Sequence, residues 1–177
     1  QRNYDYNGFD QEGVGYFQLT MKGGRRCSAA AAYLTPFKSR KNLQIITNAQ
    51  TKKVNIVNGR ASSVEIDTKN NIDKISAKKE IILSAGSIGS PHILQVSGIG
   101  DSDKLKKHGI ETIHELKGVG KNLQDHLMFR PVYKVKNLKS LNSKINSLIG
   151  NFFIGLEYIF KQSGPMTMGA SQVCGFV

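Results

Sequence analysis

Two neighbouring side chains, Asp125 and His126, belong to the residue types that act as general acids and bases in enzymes. Such a pair can also tie a loop to the rest of a fold through hydrogen bonds, and we expect this second role here. A similar choice arises at Arg25 and Arg26, because guanidinium groups bind phosphate well. We interpret these two arginines as anchors of a surface loop.

The cysteines and histidines do not form a metal-binding pattern. Cys27 and Cys174 are far apart in the sequence, and neither belongs to a CxxC pair. The four histidines, at positions 92, 108, 114 and 126, do not cluster either. The sequence therefore predicts no metal site. Both cysteines are expected to be free thiols, with a disulfide between them left open.

Small residues follow a compact apolar run in the middle of the chain. Residues 80–84 read EIILS, a pattern typical of a strand buried on both faces of a sheet. Ala85 and Gly86 come next, and a helix is predicted from Ser90 to Val96, with a proline in its first turn. Small residues at the end of a buried strand allow a cofactor to approach the backbone. They would equally suit a close helix–strand contact, so either role is open.

The flanking segments predict a mixture of strands and helices. Asn58 and Gly59 predict a hairpin turn, because both residue types tolerate positive φ. Asp101 or Ser102 is predicted to cap a helix that ends at Gly109. The other predicted elements are a loop with a short strand at 7–20, a helix at 28–34, strands at 43–57, 61–67 and 72–76, a turn at 69–71, a loop at 118–120, and, after residue 128, a strand, a helix at 141–160 and a terminal strand.

The chain is strongly basic, with a formal net charge of +12. A basic surface can bind nucleic acid, acidic lipid or an anionic substrate. The lysines are scattered, however, and the aromatic residues do not alternate with them as they would in a stacking surface for nucleic acid. We therefore expect no nucleic-acid partner, and a basic nucleic-acid-binding module is kept as the alternative function.

The composition is typical of a soluble globular protein, with 39% hydrophobic and 21% charged residues. No apolar run reaches the roughly 18 residues that a membrane-spanning helix needs, so no transmembrane segment is predicted. No signal-peptide pattern is present. These features predict a cytoplasmic location, with association with a membrane surface left open.

Residues 86–100, GSIGSPHILQVSGIG, resemble the second signature of the glucose–methanol–choline (GMC) oxidoreductase family. That signature consists of Gly-small-x-x-Ser-Pro, an apolar pair, and Ser-Gly-apolar-Gly. The similarity covers nearly the whole chain, weakens after His126, and in its first part is greatest to the choline-dehydrogenase-like branch. Further family-like segments occur in the expected order: GRRCS at 24–28 with AYL at 32–34, NLQI at 42–45, and GVGKNLQDH at 118–126.

The resemblance implies an α/β fold with two domains. Residues 1–127 would form the central and C-terminal portion of a Rossmann-like FAD-binding domain that lacks its first βαβ unit. Residues 128–177 would start an α+β substrate-binding domain. The family's GxGxxG segment and its segment with the catalytic histidine have no match here. The chain is therefore expected to be an internal fragment, inactive by itself, and no catalytic residue is assigned.

The resemblance also implies FAD as the cofactor and assigns five residues to its binding. Thr51 aligns with a position whose backbone contacts the adenine. Ala85 and Gly86 align with a strand end near the adenine and ribose. Asp125 and His126 align with a block that ties a loop to the flavin domain.

The implied reaction is the oxidation of a small primary alcohol, with hydride transfer to flavin N5. The electrons would pass on to oxygen or to a quinone-type acceptor. Met166, Met168 and Phe176 are candidates for lining the substrate pocket, with core packing as the alternative. A non-catalytic relative of the fold is a further alternative.

Overall fold

The structure is a computed structural model of the 177-residue chain, and it describes residues 1–68, 71–138, 140–169 and 171–177. Contacts divide the chain into two compact units. We call Gln44–Arg130 the central unit, and Gln1–Leu43 together with Pro131–Val177 the terminal unit. The predicted division into domains 1–127 and 128–177 stays a prediction.

Strands and helices alternate irregularly along the described residues. The strands are β1 (Gly13–Tyr16), β2 (Met21–Lys22), β3 (Arg25–Arg26), β4 (Gln50–Val57), β5 (Arg60–Thr68), β6 (Asn71–Ser76), β7 (Ile99–Gly100), β8 (His114–Glu115) and β9 (Val173–Phe176). The α-helices are α1 (Gly86–Val96), α2 (Ser102–Lys107), α3 (Leu141–Ile145) and α4 (Leu148–Lys161), and shorter helical turns occupy Ala30–Leu34, Thr35–Phe37 and Pro165–Thr167.

An antiparallel sheet in the order β4-β5-β6 forms the core of the central unit. Asn58 and Gly59 join β4 to β5 with φ angles of 52° and 74°, as a tight hairpin turn requires. Val54 of β4 lies opposite Val64 of β5, and Val54 and Ile66 are buried. The predicted hairpin and third strand are thus confirmed. The predicted turn at 69–71 falls largely on residues 69 and 70, which lie outside the described residues.

The buried hydroxyl of Ser97 fastens helix α1 to this sheet. Ser97 follows the last residue of α1, and its Oγ accepts a hydrogen bond from the Val54 backbone N–H at 2.8 Å. The same hydroxyl donates to the Ile93 carbonyl one turn earlier at 2.6 Å. The chain then leaves the helix at Gly98, where φ is 83° and a Cβ would lie 2.6 Å from the Glu111 carbonyl oxygen. Only glycine fits this exit.

Helix α2 has the capping residues that were predicted. Asp101 is the N-cap, and its carboxylate accepts the Lys104 backbone N–H at 3.4 Å and lies 3.4 Å from the Lys121 ammonium. Leu105 is buried beneath the helix, and Gly109 follows the end of the helix with a φ of 69°. Partial desolvation raises the pKa of Asp101, but the hydrogen bond from Lys104 and the charge of Lys121 together lower this pKa below its ordinary value.

Two predictions for the segment before Ser97 are wrong. Residues 80–84 form no strand, and Ile82 is 76% exposed. A strand buried on both faces needs hydrogen-bonded neighbours, and none of the described strands pairs with this segment. Helix α1 begins at Gly86 rather than at Ser90. The positive φ of Gly86 lets the chain enter the helix there, one turn before the predicted start at Ser90. The Ser90 hydroxyl accepts the Ala85 N–H at 3.0 Å.

Strand β4 is shorter than the predicted strand at 43–57. It begins at Gln50, which lies opposite Asp67 near the end of β5. Residues 43–49 extend past this partner and form no strand. The predicted helix at 28–34 appears as the short helical turns Ala30–Leu34 and Thr35–Phe37.

The terminal unit is held together by pairing between its two chain segments. Strands β1 and β9 pair antiparallel, which confirms the predicted first and last strands. Tyr6 is buried against Phe176, with ring centroids 5.2 Å apart, and the Tyr6 hydroxyl accepts the Gln18 N–H at 2.8 Å. Strands β2 and β3 form a short hairpin in which Met21 lies opposite Arg26.

The predicted helix at 141–160 is two helices, α3 and α4. They are separated at Asn146 and Ser147, because the Ser147 hydroxyl accepts the Gly150 N–H at 3.3 Å and starts a new helix. The strand predicted after residue 128 is absent from the described residues, since 128–135 have no regular structure. No helix in the described ranges has the length and apolar character needed to cross a membrane.

Much of the apolar surface of the chain is not covered by the chain itself. Large apolar side chains that are mostly exposed occur in both units, among them Ile82 of the central unit. Phe152 and Phe153 on α4 are 62% and 63% exposed. Exposed apolar area of this extent is normally covered by further protein.

Removal of the Ser97 hydroxyl tests its role between α1 and β4. Ser97→Ala leaves the buried Val54 N–H without its acceptor, which should cost about 1–3 kcal/mol of stability. Hydrogen exchange in the full-length protein should show faster exchange of the β4 amides. Ser87→Ala, at an exposed position of the same helix, is the matched control and should leave these amides protected. Equal protection in both variants would contradict the role of Ser97.

The lowered pKa of Asp101 predicts a dependence of stability on pH. The stabilisation by ionised Asp101 is present above the unfolded carboxyl pKa of about 3.9, and it is lost as the pH falls through the lower folded pKa. Asp101→Asn keeps a capping side chain but removes the charge. The variant should be less stable than wild type at about pH 7, and this difference in stability should shrink as the pH falls below about 3.9, as measured by urea unfolding. Exposed Glu111→Gln is the control; the same pH-dependent difference there would refute the assignment.

Candidate functional site

The five residues predicted to bind a cofactor all lie in the central unit. Thr51 is on β4, Ala85 and Gly86 are at the start of α1, and Asp125 and His126 follow the loop after β8. Because α1 packs on β4, the first three residues belong to one packed helix–sheet assembly.

Thr51 lies on an edge strand of the described sheet. It is half-buried and opposite Ile66, and the register shifts between Thr51 and Lys53. One edge of the β4 backbone therefore faces away from β5, and the register shift changes the direction of the strand locally. Two ion pairs join β4 to β5 next to Thr51. Lys52 pairs with Asp67 at 3.1 Å, and Lys53 pairs with Glu65 at 3.7 Å.

The turn into α1 leaves open space beside its backbone. Gly86 has a φ of 83°, and a Cβ added there would meet no atom within 4 Å. Both Ala85 and Gly86 are exposed. Glycine is thus favoured at position 86 by the positive φ of the backbone, not by a neighbouring atom that would exclude a side chain. A ligand could approach this backbone closely.

Asp125 does not contact the His126 ring in this structure. The contact found for its carboxylate is with the His126 backbone N–H, at 3.0 Å, and both residues are exposed. This hydrogen bond joins adjacent residues and links the loop to no other part of the chain. The predicted role of the pair as a loop anchor stays a prediction.

A further set of residues, which the sequence did not single out, positions the loop that leads to Asp125. The Gln95 amide of α1 donates to the Val119 carbonyl at 3.4 Å. Gly120 passes so close that a Cβ there would lie 2.7 Å from Gln95 Nε2. Lys121 is fixed by its contact with Asp101. The sequence feature that could have indicated these contacts is that Gln95 and Gly120 lie in the family-like segments 86–100 and 118–126.

The start of α2 is also tied to strand β8. The Glu115 carboxylate accepts the Ser102 backbone N–H at 2.9 Å. Hydrogen bonding from Ser102 lowers the pKa of Glu115, against a smaller opposing effect of desolvation. This charge-assisted contact holds the two ends of the α2 segment together.

No group of three or more His, Cys, Asp or Glu side chains within the described ranges is arranged to hold a metal ion. Cys27 and Cys174 are free thiols in this structure.

A cavity of about 720 Å³ lies within the terminal unit. The hairpin of β2 and β3 forms one part of its wall, and the Pro165–Thr167 turn and its neighbours form another. Met166 and Met168 line this cavity, and their role in a substrate pocket stays a prediction. Phe176 does not line it and packs on Tyr6 instead, which is the alternative that the sequence left open.

Comparison with known proteins identifies the family. The sequence model described as GMC oxidoreductase matches residues 1–128. The chain is 40% identical over 173 residues to an oxygen-dependent choline dehydrogenase of Photobacterium profundum, covering 98% of this chain and 30% of that protein. It is 39% identical over 178 residues to an alcohol dehydrogenase [acceptor] of Pseudomonas putida, covering 99% of this chain and 32% of that protein.

A solved structure agrees with these relatives. An FAD-dependent oxidoreductase from Chaetomium thermophilum superposes with a TM-score of 0.78 at 27% identity, covering 91% of this chain and 29% of that one. The chain spans about a third of the length of the proteins that it matches. The predicted α/β fold class, as part of a Rossmann-like FAD-binding region, is confirmed. With its match over residues 1–128, the chain belongs to the GMC oxidoreductase family.

Proposed function

We propose that this chain is part of an FAD-dependent oxidoreductase that oxidises the CH–OH group of a small alcohol. The observation that carries the proposal is the family match over residues 1–128. Relatives named for choline and for alcohol oxidation, each matched over nearly the whole chain, support the same reaction class.

The backbone at the start of α1 fits a close approach of the cofactor. Gly86 presents open space and a conformation that other residues resist. We propose that Ala85 and Gly86 lie against the cofactor and that Thr51 contacts it through the main chain of β4. Asp125 and His126 would fix the loop beside it. FAD, when bound, supplies at flavin N5 the acceptor for a hydride from the carbinol carbon.

The other predictions for the whole protein rest on the same family match. Residues 1–127 would belong to the FAD-binding domain and 128–177 to the start of the substrate-binding domain. The electron acceptor would be oxygen or a quinone-type compound, and the names of the relatives include an oxygen-dependent enzyme and an acceptor-dependent one. No catalytic residue is proposed within these 177 residues. The cytoplasmic location stays a prediction.

Flavin content and alcohol oxidation in the full-length protein test the proposed function. The purified protein should show flavin absorbance and should reduce a redox dye when a primary alcohol is added. The 177-residue chain alone, with FAD added, should show no turnover above background. A colourless, inactive full-length protein would favour a non-catalytic relative of the fold. Steeply salt-dependent DNA binding by such a protein would favour the nucleic-acid-binding alternative.

Gly86 and Gly109 form a matched pair for testing the proposed cofactor contact. Both have positive φ, and at both a Cβ would meet open space. Alanine at either position should therefore cost a similar backbone strain, about 1 kcal/mol. Only Gly86→Ala should lower the FAD content of the full-length protein, to roughly half or less, because its Cβ would enter cofactor space. The ratio of flavin to protein absorbance measures this, and full loading of folded Gly86→Ala would contradict the contact.

A further inference from the structure

The C-terminal end of helix α1 connects the three segments that carry the proposed cofactor residues. Ser97 binds strand β4, which carries Thr51. Gln95 binds the loop that leads to Asp125. The helix itself begins at Gly86, where the backbone is open to a ligand. The relative placement of these segments is therefore set at the end of α1 that lies away from Gly86.

The Ser97 contact is the stronger of the two connections. Its hydroxyl accepts the Val54 backbone N–H at 2.8 Å and donates to the Ile93 carbonyl at 2.6 Å. Ser97 is 4% exposed, so water cannot easily replace this hydroxyl, and its removal would leave the Val54 N–H unsatisfied. The Gln95 bond is longer, at 3.4 Å, and only partly buried.

A hydrogen bond to one particular backbone N–H fixes the position of α1 along its own axis. Apolar contacts between a helix and a sheet are not directional, so they alone permit some sliding. A slide by one residue would move the helix by about 1.5 Å, enough to bend or lengthen the bond between Ser97 and Val54. Because α1 is one continuous helix of 11 residues, the same slide would move Gly86 relative to Thr51. Binding sites require their groups to be placed within about 0.5 Å.

We propose that Ser97 is a positioning residue for the cofactor. Through Val54 it holds the start of α1 and the backbone of Thr51 in the arrangement that binds FAD, and it acts through β4 rather than by contact with the cofactor. The inference rests on the proposed function and adds a residue that governs cofactor affinity. Binding to the assembled arrangement should in turn stabilise the contact of Ser97 with Val54, because coupling between two equilibria is reciprocal.

Ser63 provides a matched control, because it is a buried serine of the same sheet whose hydrogen bond stays within the sheet. It lies on β5 and is 1% exposed, and its hydroxyl accepts the Asn55 side-chain amide at 3.1 Å. Ser63→Ala should lower stability much as Ser97→Ala does, since each variant removes one buried hydroxyl. It should leave α1 in place on β4.

Titration of the flavin-free, full-length protein with FAD tests the inference. Ser97→Ala should raise the Kd for FAD about tenfold, whereas Ser63→Ala should change it by less than about twofold. Ser97→Thr keeps a hydroxyl that can make both hydrogen bonds, and it should restore most of the affinity. Circular dichroism and thermal unfolding identify a temperature at which each variant is folded.

Hydrogen exchange at Val54 gives a second measurement that does not depend on activity. In wild type and in Ser63→Ala, added FAD should slow the exchange of the Val54 amide, because binding favours the state in which Ser97 accepts it. In Ser97→Ala this effect of FAD should be largely lost.

The possible outcomes separate the inference from the proposed function. An unchanged Kd in folded Ser97→Ala overturns the inference and leaves the proposed function intact. Equal increases in Ser97→Ala and Ser63→Ala overturn it as well, because they would reflect a general loss of stability. A wild-type protein that binds no FAD overturns the proposed function and the inference with it. If Ser97→Ala does not fold, exchange in wild type decides, and no slowing at Val54 on addition of FAD overturns the inference.

Discussion

The hydroxyl of Ser97 is the interaction on which the arrangement of the candidate cofactor site depends. It accepts the Val54 N–H from the sheet and donates to the Ile93 carbonyl of its own helix. One buried group therefore satisfies backbone atoms of both elements, and water cannot replace it easily at 4% exposure. The strand that carries Thr51 and the helix that begins at Gly86 are held together through this contact. The residues proposed to bind the cofactor are thus placed by a side chain that need not touch it.

The same helix also positions the loop that precedes Asp125 and His126. Gln95 lies two residues before Ser97 and contacts the loop through Val119, while Asp101 contacts it through Lys121. The hydrogen bond of Gln95 is long, and the ion pair of Asp101 with Lys121 is partly exposed, so each contact by itself contributes little to stability. Gly120 passes close to the Gln95 amide and has a φ of 74°, a backbone conformation that favours glycine. The glycine here is explained by backbone geometry rather than by chemistry at the glycine itself.

The large exposed apolar area sets a second constraint on the structure. Few apolar side chains are buried in the described part of the chain: Tyr6, Val54, Ile66 and Leu105. Ile82 and the phenylalanines of α4 remain exposed, although their sequence patterns are typical of buried elements. Membership of a family whose compared members are about three times as long gives a physical reason, since those patterns suit burial against a larger fold. The proposed activity accordingly belongs to the whole protein.

What the sequence determined by itself is local. The hairpin turn at Asn58 and Gly59, the cap at Asp101 and the exit at Gly109 depend on the φ preferences and hydrogen bonds of a few adjacent residues, so residue type alone predicts them. The family signature at 86–100 is likewise an ordered local pattern, and the family match confirmed the family that it indicated.

What only the tertiary structure decided depends on residues that are distant in sequence. Residues 80–84 have the composition of a buried strand, but a strand forms only where another backbone pairs with it. The contact of Ser97 with Val54 spans 43 residues. The cavity joins residues near Met21 to residues near Met166. Neither the hydrogen bond nor the lining of the cavity can be read from local pattern, because each arises from the packing of segments whose separate sequences are compatible with several arrangements.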